Sequence, residues 1–223
     1  MRAGIVEEKR ARRAPRSERK PRGSGRERRA EILAAAKELF LAEGFSRVTT
    51  RALAERAGLS QTGLYVYFRT KEDILRAIHD ETHEALRLEF DRIAALPTNP
   101  ERRLRGLMRS YIDFGLSHPA EYQLTFTVGP DALAPIAKDF SRPFEEQGPA
   151  AGNFLRFRDH LASLAADGVL GRHDPMLVAQ LLWFVGHGAV SLLISRRQFP
   201  WIDRQILIDK LEEVVVAGLR TAT

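Results

Sequence analysis

Between Gly44 and Asp73 the chain stops and restarts a helix three times, and this run constrains its fold more than any other feature. Gly44 suits the left-handed residue that ends a helix. Thr49 or Thr50 then offers the side-chain oxygen that caps the next helix, which carries Leu53, Ala54 and Ala57. Gly58 ends that helix, and Ser60 caps a third, short one through Leu64, Tyr65 and Phe68. Thr70 caps a fourth, with Asp73 in the capping-box position three residues on. Alanines at 52, 54 and 57 let the neighbouring helix cross closely, and Gly58 suits a tight turn that other residues enter only at a cost. Two short helices joined in this way have the layout of a helix-turn-helix.

The rest of the chain is helical in pattern as well. From Arg26 the apolar residues Ile32, Leu33, Ala36, Leu39 and Phe40 recur at spacings of three and four. The fourth helix runs through Ile74, Ile78, Leu86 and Phe90 to about Ala95, before Pro97 and Pro100. Further helices are predicted over 101–117, from Pro119 to near Gly129, over 149–167, from Asp174-Pro175 to about Arg197, and over 201–220. Residues 129–148, rich in Pro and Gly, read as irregular. No segment alternates strictly with period two, so the fold class is all-α, with about nine helices.

Charge is unevenly distributed. Residues 1–30 hold twelve Lys or Arg against four acids, a net +8; the whole chain carries +6, which leaves −2 for the remainder. A basic arm on a near-neutral body points to an anionic polymer as partner, with a merely solvated tail as the plain alternative. Residues 1–25 have almost no apolar side chains and are expected to be disordered. The expected organisation is a disordered basic arm over 1–25, a helix-turn-helix domain over 26–71 and a regulatory and dimerisation domain over 72–223. There is no cysteine, hence no disulfide, thiolate metal site or cysteine nucleophile. No apolar run is expected to approach the roughly 20 residues of a membrane span, and the first thirty residues lack a secretory apolar segment. A cytoplasmic protein without membrane contact is expected.

The second helix of a helix-turn-helix enters the major groove by its N-terminal residues. Here those are Ser60, Gln61, Thr62 and Gly63. Gln61 can pair with adenine, and Thr62 can bond a base edge or touch a thymine methyl. The hydroxyls of Tyr65 and Tyr67 can reach phosphate. Lys71, at the start of the fourth helix, and Thr49, Thr50 and Arg51, at the start of the second, are candidate phosphate contacts.

The stretch from Gly44 to Leu75 closely resembles the N-terminal domain of the TetR family of repressors. Gly44-Phe45, Thr49-Thr50, Ala57-Gly58-Leu59-Ser60, Leu64-Tyr65-Val66-Tyr67-Phe68 and Lys71-Glu72-Asp73-Ile74-Leu75 carry the resemblance. Farther on, Ser117-His118-Pro119-Ala120-Glu121-Tyr122 and Trp183-Phe184-Val185-Gly186-His187-Gly188 look like the subgroup named for a Trp-His-Gly signature in its regulatory domain. The resemblance implies a ligand-responsive transcriptional repressor, with bases read mainly by Gln61, Thr62 and Tyr65. It implies that the last two helices form a homodimer interface. Their apolar residues exceed what one helix face needs: Leu181, Leu182, Val185, Ala189, Leu192 and Leu193 on one, Ile206, Ile208, Leu211, Val214 and Val215 on the other. Double-stranded operator DNA, near-palindromic, is the implied partner. A small-molecule effector would be lined by Met108, Tyr111, Phe114, Phe126, Phe157, Trp183 and His187, residues that plain core packing would also explain. The fourth helix is the expected lever between effector and DNA.

Rival readings are weaker on the residues. His79 and His83 lie four apart with Asp80 and Glu84 beside them, a spacing that suits a divalent metal. No third ligand is obvious, and a solvated or partly buried face is the expectation. No nucleophile and base pair stands out, so no enzyme, catalytic residue, metal or cofactor is expected. A DNA-binding regulator without a small-molecule effector is the alternative.

Overall fold

The computed structural model describes residues 25–127, 143–146 and 148–221. The basic arm up to residue 24 and most of the stretch expected to be irregular lie outside the described residues. Among those described there are nine α-helices and no strand. They are α1 Gly25–Glu43, α2 Thr50–Arg56, α3 Gln61–Tyr65, α4 Lys71–Ala94, α5 Pro100–Ser117, α6 Pro119–Phe126, α7 Pro149–Ala165, α8 Pro175–Ser195 and α9 Arg204–Thr221, with a 3-10 turn at Phe144–Glu146 before α7.

The caps decide where elements begin. Thr49, not Thr50, caps α2 by accepting from the Ala52 amide. Ser60 caps α3 through Gly63, and Thr70 with Asp73 closes a full capping box on α4. Asn99 caps α5, and Asp174 accepts from two amides at the start of α8. Gly58 has φ +65°, the left-handed conformation that the α2–α3 turn requires.

Two hydrophobic cores result. The first joins Ile32, Leu33, Ala36 and Phe40 of α1 to Leu53, Ala54, Leu64, Phe68 and the start of α4. The second gathers the later part of α4 with α5, α7, α8 and α9 around Leu107, Ile112, Leu161, Val178 and Leu193. Helix α4 serves both, with Ile74, Leu75 and Ile78 in the first and Leu86, Phe90 and Ile93 in the second. Helix α6 also serves both. Its Leu124 is buried in the first core and its Tyr122 in the second, and Glu121 pairs with Lys37 of α1 at 2.5 Å. Gly115 lets α5 and α8 approach closely, since a Cβ there would fall 2.5 Å from Val190.

One expectation is corrected here. Pro175–Ser195 is 21 residues long and apolar enough, by length and composition, to cross a membrane. Its apolarity serves two faces. Val178, Ala179, Leu182, Val190 and Leu193 are buried in the second core, whereas Leu177, Leu181, Phe184 and Leu192 are exposed, Phe184 at 80%.

Candidate nucleic-acid interface

Helix α3 is held from beneath by Leu64, which is fully buried against Leu53 and Ala54 of α2. This orientation leaves Ser60, Gln61, Thr62 and Tyr65 exposed on the opposite side, with Gly63 half-buried. Three polar side chains converge there. The Gln61 amide Nε2 donates to the Tyr65 hydroxyl at 3.1 Å and to Thr50 Oγ1 at 3.4 Å, and the two hydroxyls lie 3.4 Å apart. The bonds from Thr50 and Gln61 draw the Tyr65 phenol below its usual pKa. Thr49 and Arg51 are exposed nearby, and Tyr67 is half-buried against the first core.

Lys71 is placed differently from its expected phosphate contact. Its ammonium donates to three backbone carbonyls of the α1–α2 loop, those of Phe45 at 2.8 Å, Ser46 at 3.2 Å and Val48 at 3.1 Å, and it lies over the Phe45 ring. An ammonium has three donors, so all are used. Lys71 holds the loop that delivers Thr49 and Thr50 to their positions. Spacing from a helix start could not reveal this, because the partners are carbonyls more than twenty residues away.

In the second core, Tyr111, Tyr122, Phe126, Trp183 and His187 form one aromatic cluster. Tyr122 donates to the His187 carbonyl at 3.1 Å and lies 2.7 Å from its Nδ1. Burial pushes the Tyr111 phenol up to about 12 and lowers His187. Met108 and Phe157 are buried core, Phe114 stacks on His118, and Trp183 is half-exposed. The expected lining residues thus divide between core and cluster, and Tyr122 is a member the sequence reading did not include. A groove of about 640 Å³ lies instead between α4 and α7, lined by Asp80, His83, Glu84 and Arg87 opposite Asn153 and Arg156. Asn153 is 7% exposed and its Oδ1 has no hydrogen-bond partner, while its Nδ2 lies 3.5 Å from His83 Nδ1. The face is partly buried, as expected: His83 is buried, His79 and Asp80 are half-buried and Glu84 is exposed. Burial of His83, beside His79, lowers its pKa to about 3. No group of three metal-binding side chains occurs among the described residues.

The family model described as "Bacterial regulatory proteins, tetR family" matches residues 32–78, which hold all of the first core's buried residues except Leu124. A second, "Tetracyclin repressor-like, C-terminal domain", matches residues 104–218. The chain belongs to the TetR family. The second match takes in Trp183–Gly188, and it is described at the level of the tetracyclin repressor-like domain, broader than the Trp-His-Gly subgroup. This TetR-family chain is 36% identical over 132 residues to the HTH-type transcriptional regulator EthR of Mycolicibacterium smegmatis, covering 57% of this chain and 58% of that protein. It is 29% identical over 120 residues to the HTH-type transcriptional activator FasR of the same organism, covering 50% of this chain and 54% of that protein. The chain thus spans a little over half the length of these curated relatives. Among solved structures, the fatty acid degradation regulator FadR from Bacillus halodurans superposes with a TM-score of 0.67 at 16% identity, over 91% of this chain and 99% of that one. The ketosteroid transcriptional regulator KstR2 of Mycobacterium tuberculosis gives 0.64 at 20% identity, over 86% and 94%. These two likenesses are of fold.

Proposed function

We propose that this protein is a transcriptional repressor that holds a near-palindromic operator as a homodimer in the cytoplasm and is released by a small molecule. The observation that carries the DNA-binding part is α3, whose Leu64 is buried while Gln61, Thr62 and Tyr65 stand exposed. In this reading residues 26–71, completed by the first turns of α4, form the DNA-binding domain, and the remainder is regulatory. Gln61 and Thr62 read base edges. Thr49, Thr50, Arg51 and Tyr67 meet phosphates, and the basic arm adds sequence-independent attraction.

Exposed apolar residues on the outer faces of α8 and α9 support the homodimer: Leu177, Leu181, Phe184, Leu192, Ile206 and Val214. A two-fold dimer sets its recognition helices about one DNA turn, roughly 34–36 Å, apart. The α4–α7 groove, with the buried, unpartnered Asn153 Oδ1, supports an effector site. From there α4 leads into the first core, and α6, which also enters that core, touches His83 of the groove through Phe126. An effector that binds better to a conformer with misplaced recognition helices shifts the population away from DNA, by no more than its differential affinity. The burial of Met108, Tyr111 and Phe157 in packed core favours the second reading, a regulator with no small-molecule effector.

Retrieval of genomic DNA by the purified protein tests the first part. Enrichment of short near-palindromic sites is expected, and recovery of DNA without a shared sequence would refute operator recognition. Deleting residues 1–22 should flatten the salt dependence of binding to such a site, since fewer counterions are released.

A further inference from the structure

We infer that Tyr65 and Thr50 are positioning residues that turn the Gln61 amide so that its carbonyl, and not its NH2 group, faces DNA, making Gln61 a reader of amino bases. The inference rests on the DNA-binding reading and adds which base chemistry is accepted. It follows from the three-way contact at the exposed end of α3. Gln61 and Tyr65 are four apart and share one face of the helix. Thr50 reaches the same point from the first residue of α2. The Gln61 Nε2 has two hydrogens, and two hydroxyl oxygens stand at 3.1 and 3.4 Å to accept them. Both donors of the amide are therefore turned inward, and Oε1 remains as its outward group, an acceptor.

In the major groove adenine N6 and cytosine N4 are the donors, whereas guanine and thymine present acceptors at the equivalent edge. A carbonyl held outward accepts from adenine or cytosine on the contacted strand and faces lone pairs on guanine or thymine. This differs from the two-bond pairing of a free glutamine with adenine, which needs an Nε2 hydrogen for N7. That hydrogen is engaged here. The arrangement is prepared before DNA arrives, so the amide need not be immobilised on binding. Thr62, also exposed on α3, has a rotating hydroxyl that donates or accepts and imposes no such choice.

The test is selection of bound duplexes from a randomised DNA library by the full chain and by Gln61→Ala, Tyr65→Phe and Thr50→Val, with melting temperatures measured in parallel. Gln61→Ala identifies the position in each half-site that Gln61 reads. At that position the unaltered protein should accept adenine and cytosine and disfavour guanine and thymine roughly fivefold or more. Tyr65→Phe removes one acceptor, frees an Nε2 hydrogen for N7 or O6 of guanine and should erase most of that discrimination there, leaving other positions and the melting temperature unchanged. Thr50→Val should relax the preference at that position more weakly, together with the weakening on all sequences that loss of its phosphate contact brings. A guanine or thymine preference in the unaltered protein at the Gln61 position would overturn the inference. So would a Tyr65→Phe protein with unchanged base preference, or one weakened equally on all sequences as for a lost phosphate contact. If the unaltered protein selects no sequence at all, the DNA-binding reading fails and the inference falls with it.

Discussion

Lys71 and His83 show how much a single side chain depends on groups remote in sequence. The Lys71 ammonium gathers three carbonyls of the loop between α1 and α2. Lys71→Met leaves those carbonyls without their charged donor and is expected to lower stability by about 2 kcal/mol, read from the urea midpoint. Its salt slope for operator binding should equal that of the unaltered protein, because no phosphate contact is lost. His83 is buried with its pKa lowered to about 3 from an ordinary 6.5. Below pH 6.5 the unfolded chain binds a proton at this residue that the folded chain refuses until near pH 3, so the stability it confers is complete above pH 6.5 and declines as the pH falls. Between pH 6.5 and 5 the loss is expected to be about 2 kcal/mol. Denaturant titrations at the two pH values measure it, and His83→Gln should remove this part of the slope.

At the scale of elements, α6 is the helix whose importance exceeds its length. Eight residues place Leu124 in the first core, Tyr122 in the second and Glu121 on Lys37 of α1. The expected lever was α4 alone, and the structure gives the two cores a second connection. Leu124→Ala empties a site only 2% exposed and is expected to cost about 3 kcal/mol. The loss should appear in urea unfolding as one lower midpoint for the entire chain, because both cores lean on this helix. Periodicity could reveal that α6 exists, opened by Pro119, but eight residues with apolar groups on several sides do not say which belongs to which core.

At the scale of the whole molecule, the apolar side chains exposed on α8 and α9 are an unfinished feature. Leu182, Leu193 and Ile208, expected in a dimer interface, are buried within the chain itself, whereas Leu181, Phe184, Leu192, Ile206 and Val214 face outward. Phe184→Arg places a charge among these exposed apolar residues, at the middle of α8. Light scattering should show a species of about twice 25.2 kDa for the unaltered protein and of 25.2 kDa for the variant. A variant that keeps the larger mass would move the interface elsewhere.

The sequence by itself determined the all-α class, the helices found among the described residues and the chain of caps from Gly44 to Asp73, because caps, glycine stops and apolar spacing act within a few residues of one another. It also determined the family, since Gly58, Ser60, Leu64 and Tyr65 to Phe68 are close enough along the chain to form one pattern. Tertiary structure alone decided what Lys71 holds, that His83 and Asn153 are buried together behind a groove, that Tyr122 joins His187, and which side of α8 stays open. Each of these depends on contacts between residues some twenty or more positions apart. A hydrogen bond or a burial at that distance is set by how helices cross, and the crossing leaves no local mark in the order of residues.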